Sequence, residues 1–246
     1  MRNAPPNQRG RFITFEGGEG TGKSTQTRRL VDHLIALGID AVATREPGGS
    51  PGAEALRRLL LAGAVAPLGP AAEALVFSAA RIDHLDATIR PALARGAFVV
   101  CDRFADSTRA YQGALGNLDP RLIRALERVT VGETRPDLTI ILDLPAEIGL
   151  ARAGARAPAG SADRFEAEDL SFHQALRSTF LEIAASEPER CIVIDATLSQ
   201  EAVAAAVWEA VATRFLAGIH SAQRQGRGRG QASGRVRRSQ AQRERA

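Results

Sequence analysis

Eight consecutive residues, Gly17-Gly18-Glu19-Gly20-Thr21-Gly22-Lys23-Ser24, set glycines, an ammonium and a hydroxyl in the spacing G-x-x-x-x-G-K-[ST]. Glycines at this spacing let successive backbone N–H groups converge on one phosphate group, the lysine adds a point charge, and the serine hydroxyl can hold Mg2+. Lys23 is the only lysine in the 246-residue chain; the other 31 basic side chains are arginine. A composition this averse to lysine keeps one where a compact ammonium, rather than a wide planar guanidinium, is needed against phosphate. The stretch from Gly17 to Thr25 is therefore expected to hold the phosphates of a nucleoside triphosphate.

Four further groups of residues could do chemistry. Thr44-Arg45-Glu46-Pro47-Gly48-Gly49 follows an apolar run. Phe77 and Arg81 are four residues apart, which on a helix puts a ring and a guanidinium on one face. Asp102-Arg103 closes another apolar run, with Ser107-Thr108-Arg109-Ala110-Tyr111-Gln112 shortly after it, and Asp163-Arg164-Phe165-Glu166 ends a glycine-containing stretch. Each group also has a plainer reading. Phe77 and Tyr111 could be packing residues, Arg81 a surface arginine, and Asp102 a turn cap, with Asp143 the metal-side acid instead.

These groups need a scaffold that aims them at one place, and the hydrophobic pattern supplies it. Candidate strands are Phe12 to Glu16, Ile39 to Thr44, Phe98 to Asp102, Leu138 to Asp143 and Cys191 to Asp195. Most are short apolar runs ending in a polar residue, as expected of buried parallel strands whose carboxyl ends face a ligand crevice. Helical spacing predicts helices over 24–37, 53–61, 71–94, 120–131, 146–153, 170–185 and 200–216. The last carries Val203, Val207, Trp208, Val211 and Phe215 on one face, so the single Trp is expected in the core. The alternation implies an α/β fold of three layers, a parallel sheet of about five strands between helices. The segment 153–165, poor in packing residues and rich in arginine, reads as a mobile lid over the phosphates.

Charge is unevenly placed. The total is +4, but Ser221 to Ala246 holds eight Arg and one Glu, which leaves −3 for residues 1–220. Residues 219–246 are too poor in apolar side chains to offset the entropy of ordering, so an Arg/Gly-rich disordered tail is expected, either simply solvated or touching RNA weakly through phosphates. Residues 1–10 have no apolar core that could serve as a signal peptide and read as a disordered lead-in. No apolar run approaches the roughly 18 residues of a membrane span, so a cytoplasmic protein without membrane contact is expected. Cys101 and Cys191 each lie in or beside an apolar run ending in Asp, which suits reduced core residues.

From Phe12 to about Phe215 the chain resembles the bacterial thymidylate kinases, P-loop nucleoside-monophosphate kinases. The resemblance rests on Phe-Glu-Gly-Gly-Glu-Gly-Thr-Gly-Lys-Ser-Thr at 15–25, Thr-Arg-Glu-Pro-Gly-Gly at 44–49, Asp102-Arg103 with Ser107-Thr108 and Ala110-Tyr111-Gln112, and Arg135-Pro136-Asp137-Leu138. It implies transfer of the ATP γ-phosphoryl group to dTMP in dTTP synthesis, with Mg2+ as cofactor, by a homodimer with a catalytic domain over 11–218. It further implies that Phe77 stacks on thymine, Arg81 donates to a thymine carbonyl, and Thr108 and Gln112 close the base pocket, with Glu46, Pro47 and Ser107 also around dTMP. Tyr111 resembles the residue that crowds the sugar 2′ position, Arg103 the clamp on the acceptor phosphate, and Glu19 the loop carboxylate near the 3′-hydroxyl. Ser24 and Asp102 would sit at Mg2+. Some family members carry a catalytic arginine in the phosphate loop and others in the lid. No arginine lies between Gly17 and Ser24, so the lid is expected to supply it: Arg156, aligned from Gly149-Leu150, with Arg152 as second choice.

Two other readings are weighed beside this one. A kinase for another nucleoside monophosphate or a deoxynucleoside would share the phosphate loop. A nucleotide switch or nucleic-acid-associated ATPase would use the basic tail, although no Asn-Lys-x-Asp guanine motif is present.

Overall fold

The computed structural model of the protein describes residues 9–155, 165 and 167–216. Five strands, β1 (Arg11–Glu16), β2 (Ala41–Arg45), β3 (Phe98–Asp102), β4 (Leu138–Asp143) and β5 (Cys191–Asp195), form one sheet in the order β2-β3-β1-β4-β5. Every pairing is parallel. Past its first residue β1 is buried throughout, as a central strand covered on both faces must be. The strand order reverses at β1, so the crevice outside its carboxyl end is the natural ligand position.

Nine α-helices occur among the described residues: α1 (Lys23–Ala36), α2 (Pro51–Leu61), α3 (Gly69–His84), α4 (Arg90–Ala94), α5 (Ala105–Thr108), α6 (Pro120–Thr130), α7 (Ala146–Gly154), α8 (Leu170–Ser186) and α9 (Gln200–Val211). One layer of core joins Phe12, Val99 and Phe104 to Leu85, Ile89 and Leu93. A second joins Ile141 and Ala110 to Leu176, Phe180 and Ile183. The described residues divide into two compact units between Ala204 and Ala205. The second contains the end of α9, with Val207 and Val211 buried and Trp208 only partly covered, and a π-helical turn over Ala212–Leu216.

Three elements differ from the sequence reading. The helix expected over 71–94 is interrupted by a π-helical turn at Leu85–Ile89. Pro91 has no N–H to donate, and its ring crowds the carbonyl one turn back, so a widened turn admits it. β2 starts at Ala41 rather than Ile39, because the Ile39 amide closes the end of α1 on the Leu34 carbonyl at 3.0 Å. Residues 105–115 are helical, as α5 and a π-helical stretch over Arg109–Leu115, although their polar start gives no periodic signal. Both cysteines are buried and unpaired, as expected. No single helix among the described residues is long and apolar enough to cross a membrane.

Candidate active site

The loop between β1 and α1 is held close to α7 by two glycines. Gly20 has φ +69°, and a Cβ there would lie 2.0 Å from the Gly149 carbonyl oxygen; a Cβ on Gly149 would lie 2.3 Å from the Glu19 carbonyl oxygen. Only glycine at both positions permits this backbone approach. Lys23 is buried, and its ammonium donates to the carbonyls of Gly17 (3.0 Å) and Gly18 (2.6 Å). Burial, reinforced by the Arg103 charge, lowers its pKa to about 8. The Ser24 hydroxyl, in the first turn of α1 beside Thr25, donates to the Asp102 carboxylate at the end of β3.

Beside the loop opens a cleft. Its walls bring together Glu19 from the loop, Glu46 and Pro47 after β2, Phe77 and Arg81 from α3, Arg103 after β3, and Ser107, Thr108, Tyr111 and Gln112 from the helical segment that follows. Every residue expected around the acceptor thus lines one cavity. Arg103 adopts φ +68° and pairs with the Glu19 carboxylate, which also accepts the Tyr111 hydroxyl at 2.8 Å. The Arg103 guanidinium lies 5.2 Å from the Tyr111 ring centroid. Burial alone would raise the Glu19 pKa, but the charges of Arg103 and Lys23 and the Tyr111 hydrogen bond outweigh it and hold it at about 2.

Arg81 is 3% exposed. Its Nε donates to Glu46 at 2.7 Å, and its Nη2 to the Phe104 carbonyl at 3.1 Å and the Thr108 hydroxyl at 2.9 Å. Glu46 is held in turn by His84, 3.1 Å away, whose other ring nitrogen contacts Thr44 Oγ1 at 2.6 Å. Arg81 is therefore a fixed donor of the pocket wall, rather than a surface arginine.

Three lining residues were not singled out from sequence, Arg57, Leu61 and Phe104, whereas Phe165 belongs to the Asp163–Glu166 group. Arg57 had a usable signal, since it sits on the helix directly after the Thr-Arg-Glu-Pro-Gly-Gly stretch; its guanidinium donates to the Pro47 carbonyl at 2.7 Å. Phe165 meets Tyr111 edge-on, with ring centroids 5.2 Å apart. Glu16 was also missed, although a carboxylate ending an apolar strand is a signal. It is fully buried and accepts the amides of Phe104 (2.8 Å) and Ser107 (3.2 Å) and the Ser107 hydroxyl (2.7 Å). Burial, then the Asp106 charge, lifts its pKa to about 7 against the pull of these hydrogen bonds.

Ser24 and Asp102 are adjacent oxygen donors, the type Mg2+ uses when it shares its coordination with nucleotide phosphates. Asp143, the alternative acid, is instead engaged by Arg177 at 2.6 and 2.9 Å. No cluster of three or more His, Cys, Asp or Glu side chains that could hold a metal occurs among the described residues. Arg152 donates to the Ala196 carbonyl at 2.9 Å. Arg156, Asp163, Arg164 and Glu166, like most of the expected lid and both tails, lie outside the described residues.

The family model for thymidylate kinase matches residues 15–207. The chain belongs to the thymidylate kinase family. It is 61% identical over 208 residues to the thymidylate kinase of Bradyrhizobium diazoefficiens, covering 85% of this chain and 91% of that one. It is 59% identical over 219 residues to the thymidylate kinase of Nitrobacter winogradskyi, covering 88% and 95%. Among solved structures it resembles that of thymidylate kinase from Ehrlichia chaffeensis, with a TM-score of 0.66 and 34% identity over 82% of this chain and 98% of that one. The parallel five-stranded sheet is the fold of this kinase family, and membership makes the protein an enzyme of dTMP phosphorylation that draws on ATP.

Proposed function

We propose that the protein transfers the ATP γ-phosphoryl group to dTMP, giving dTDP and ADP, with dTMP in the cleft beside the loop. The observation that carries this reading is the Arg103 side chain. It bonds to the loop, at Glu19 and the Gly17 carbonyl (3.3 Å), and to Ser107 of the cleft (3.3 Å). A cation at that junction can address the acceptor phosphate while the loop holds the donor.

Phosphoryl transfer asks the protein mainly for alignment and charge neutralisation. ATP binding exchanges the Lys23 contacts to Gly17 and Gly18 for phosphate oxygens, with the loop amides around them. Ser24 and Asp102 would hold Mg2+, which would supply positive charge against the nucleotide phosphates. Phe77 stacks on thymine, and Arg81, oriented by Glu46, donates to a base carbonyl. Thr108 and Gln112 close the base pocket, with Pro47 and Ser107 completing its wall. Tyr111 crowds the 2′ position, and Glu19 lies near the 3′-hydroxyl. Arg57 is a second cation on the cleft wall for the acceptor phosphate. A lid arginine, Arg156, supplies the remaining positive charge at the transferring group, an assignment that rests on sequence.

The same reading makes the protein cytoplasmic and homodimeric, with the tail beyond 218 dispensable for chemistry. Support for a dimer comes from α2, α3 and α6, which leave Leu59, Leu75, Ile82, Leu122 and Val129 exposed. The deciding experiment is coupled ADP release with MgATP against dTMP, dUMP, UMP, dCMP, AMP and GMP, on the full chain and on one ending at Gly218. Strong turnover with dTMP in both is expected. ATP binding without turnover of any monophosphate would defeat the reading.

A further inference from the structure

Among the described residues only Arg103 and Asn117 combine a side chain with positive φ. A left-handed backbone disfavours any residue with a Cβ, and it persists where its surroundings over-determine it. At Arg103 those surroundings can be named. Register pairs Phe15 with Asp102, so the Arg103 amide reaches the Phe15 carbonyl at 2.9 Å. The next peptide group is held at both ends: its carbonyl, on Arg103, accepts the Cys101 thiol at 3.0 Å, and its amide, on Phe104, donates to Glu16 at 2.8 Å. Rotation of that peptide out of the left-handed form would break both bonds at once.

Glu16 is poorly explained by stability. It is a fully buried carboxylate whose hydrogen bonds all come from neutral donors, and no ion pair reaches it among the described residues. Burying such a charge costs folding free energy. Nor does it face the reacting groups, because one oxygen serves two amides and the other the Ser107 hydroxyl. What it does occupy is the junction between clamp and loop, since the next residue, Gly17, accepts both Lys23 and Arg103 on its carbonyl.

We propose that Glu16, assisted by Cys101, is a positioning residue that locks the Arg103–Phe104 peptide and so holds Arg103 in the left-handed conformation from which its guanidinium meets the acceptor phosphate. The inference rests on the reading of Arg103 as the acceptor clamp, and the test separates the two. Calorimetric titration of the full chain with dTMP, and separately with a non-hydrolysable ATP analogue, is run on Glu16→Ala, Glu16→Gln, Cys101→Ala, Arg103→Ala and the Glu16→Ala/Arg103→Ala pair. Glu16→Ala is expected to weaken dTMP by about tenfold or more, with the ATP analogue within about threefold. Glu16→Gln, which keeps an acceptor for the Phe104 amide, should recover most of the loss. In the Arg103→Ala background the Glu16→Ala effect on dTMP should shrink to about threefold or less, because residues acting through one another are not additive. Should Glu16→Ala fail to fold, Cys101→Ala carries the test with a smaller loss confined to dTMP.

Weakened dTMP binding in Arg103→Ala but not in Glu16→Ala or Cys101→Ala would overturn the positioning role alone. A full Glu16→Ala effect in the Arg103→Ala background would overturn it as well. Unchanged dTMP affinity in Arg103→Ala would remove the clamp, and the proposal with it.

Discussion

Replacing Gly149 by alanine sets two physical effects against each other. Intrinsic helix propensity favours alanine over glycine by up to about 1 kcal/mol in a helix interior, so α7 taken alone should gain stability. The contact with the phosphate loop acts the other way. A Cβ at Gly149 would stand 2.3 Å from the Glu19 carbonyl oxygen, whereas carbon and oxygen tolerate roughly 3.3 Å. Loop and helix must then part by about 1 Å, and a misplacement of that size in a catalytic group costs on the order of 100-fold in rate, or about 2.7 kcal/mol of barrier. Gly154, the last residue of the same helix, is the control, because a Cβ there meets nothing within 4 Å. Coupled ADP-release kinetics should show kcat falling about 100-fold in Gly149→Ala and unchanged in Gly154→Ala, with calorimetric Tm showing both folded. A Gly149→Ala enzyme within about threefold of the parent kcat would mean that this approach does not set the loop's position, and the reasoning would fail.

Lys23 should limit ATP capture in alkaline solution: kcat/KM for ATP reports the free enzyme, so it should fall about tenfold per pH unit above about 8, while kcat holds to higher pH. A flat kcat/KM up to pH 9.5, an interval of about 1.5 units above that pKa, would contradict it. Glu19 has its pKa depressed from 4.5 to about 2, so its contribution to stability is present above pH 4.5 and lost as pH falls toward 2. Urea titrations between those limits should show Glu19→Gln flattening the loss by at most about 3 kcal/mol, and parallel curves for variant and parent would count against the Arg103 pair as its source. Arg81→Met leaves Glu46 buried with only His84 opposite it; a loss of about 3–5 kcal/mol and a raised KM for dTMP are expected, and a urea midpoint equivalent to less than about 1 kcal/mol would refute the buried pair's importance.

The parts of this molecule legible from sequence are those that local pattern determines. Five apolar runs became five strands, with β3, β4 and β5 at the expected limits, because a doubly covered parallel strand needs little beyond continuous apolar residues. Phe77 and Arg81 share the cleft as their four-residue spacing implies. What stayed hidden depends on partners far apart in the chain. The helical segment 105–115 begins where Glu16, 88 residues upstream of Phe104, accepts its first amides, and no periodicity announces that. Sequence alone leaves a surface position open for Arg81, because Glu46, which accepts from it in the interior, lies 35 residues away. The π-helical turn before Pro91 was signalled by the proline, but a helix pattern tolerates one breaker without saying whether it will end, kink or widen.

The solitary lysine also makes the protein a selective target for acylating reagents. Lys23 carries the only side-chain amine, and at pH 8 about half of it is unprotonated in the free enzyme, although it is only 7% exposed. An amine-directed ester therefore has one side-chain destination, the floor of the phosphate loop, and mass spectrometry of the peptide that carries Lys23, which separates it from acylation of the α-amino group, counts open loops. Nucleotide in the loop would shield that amine, so the rate of acylation becomes a measure of occupancy that needs no enzymatic turnover.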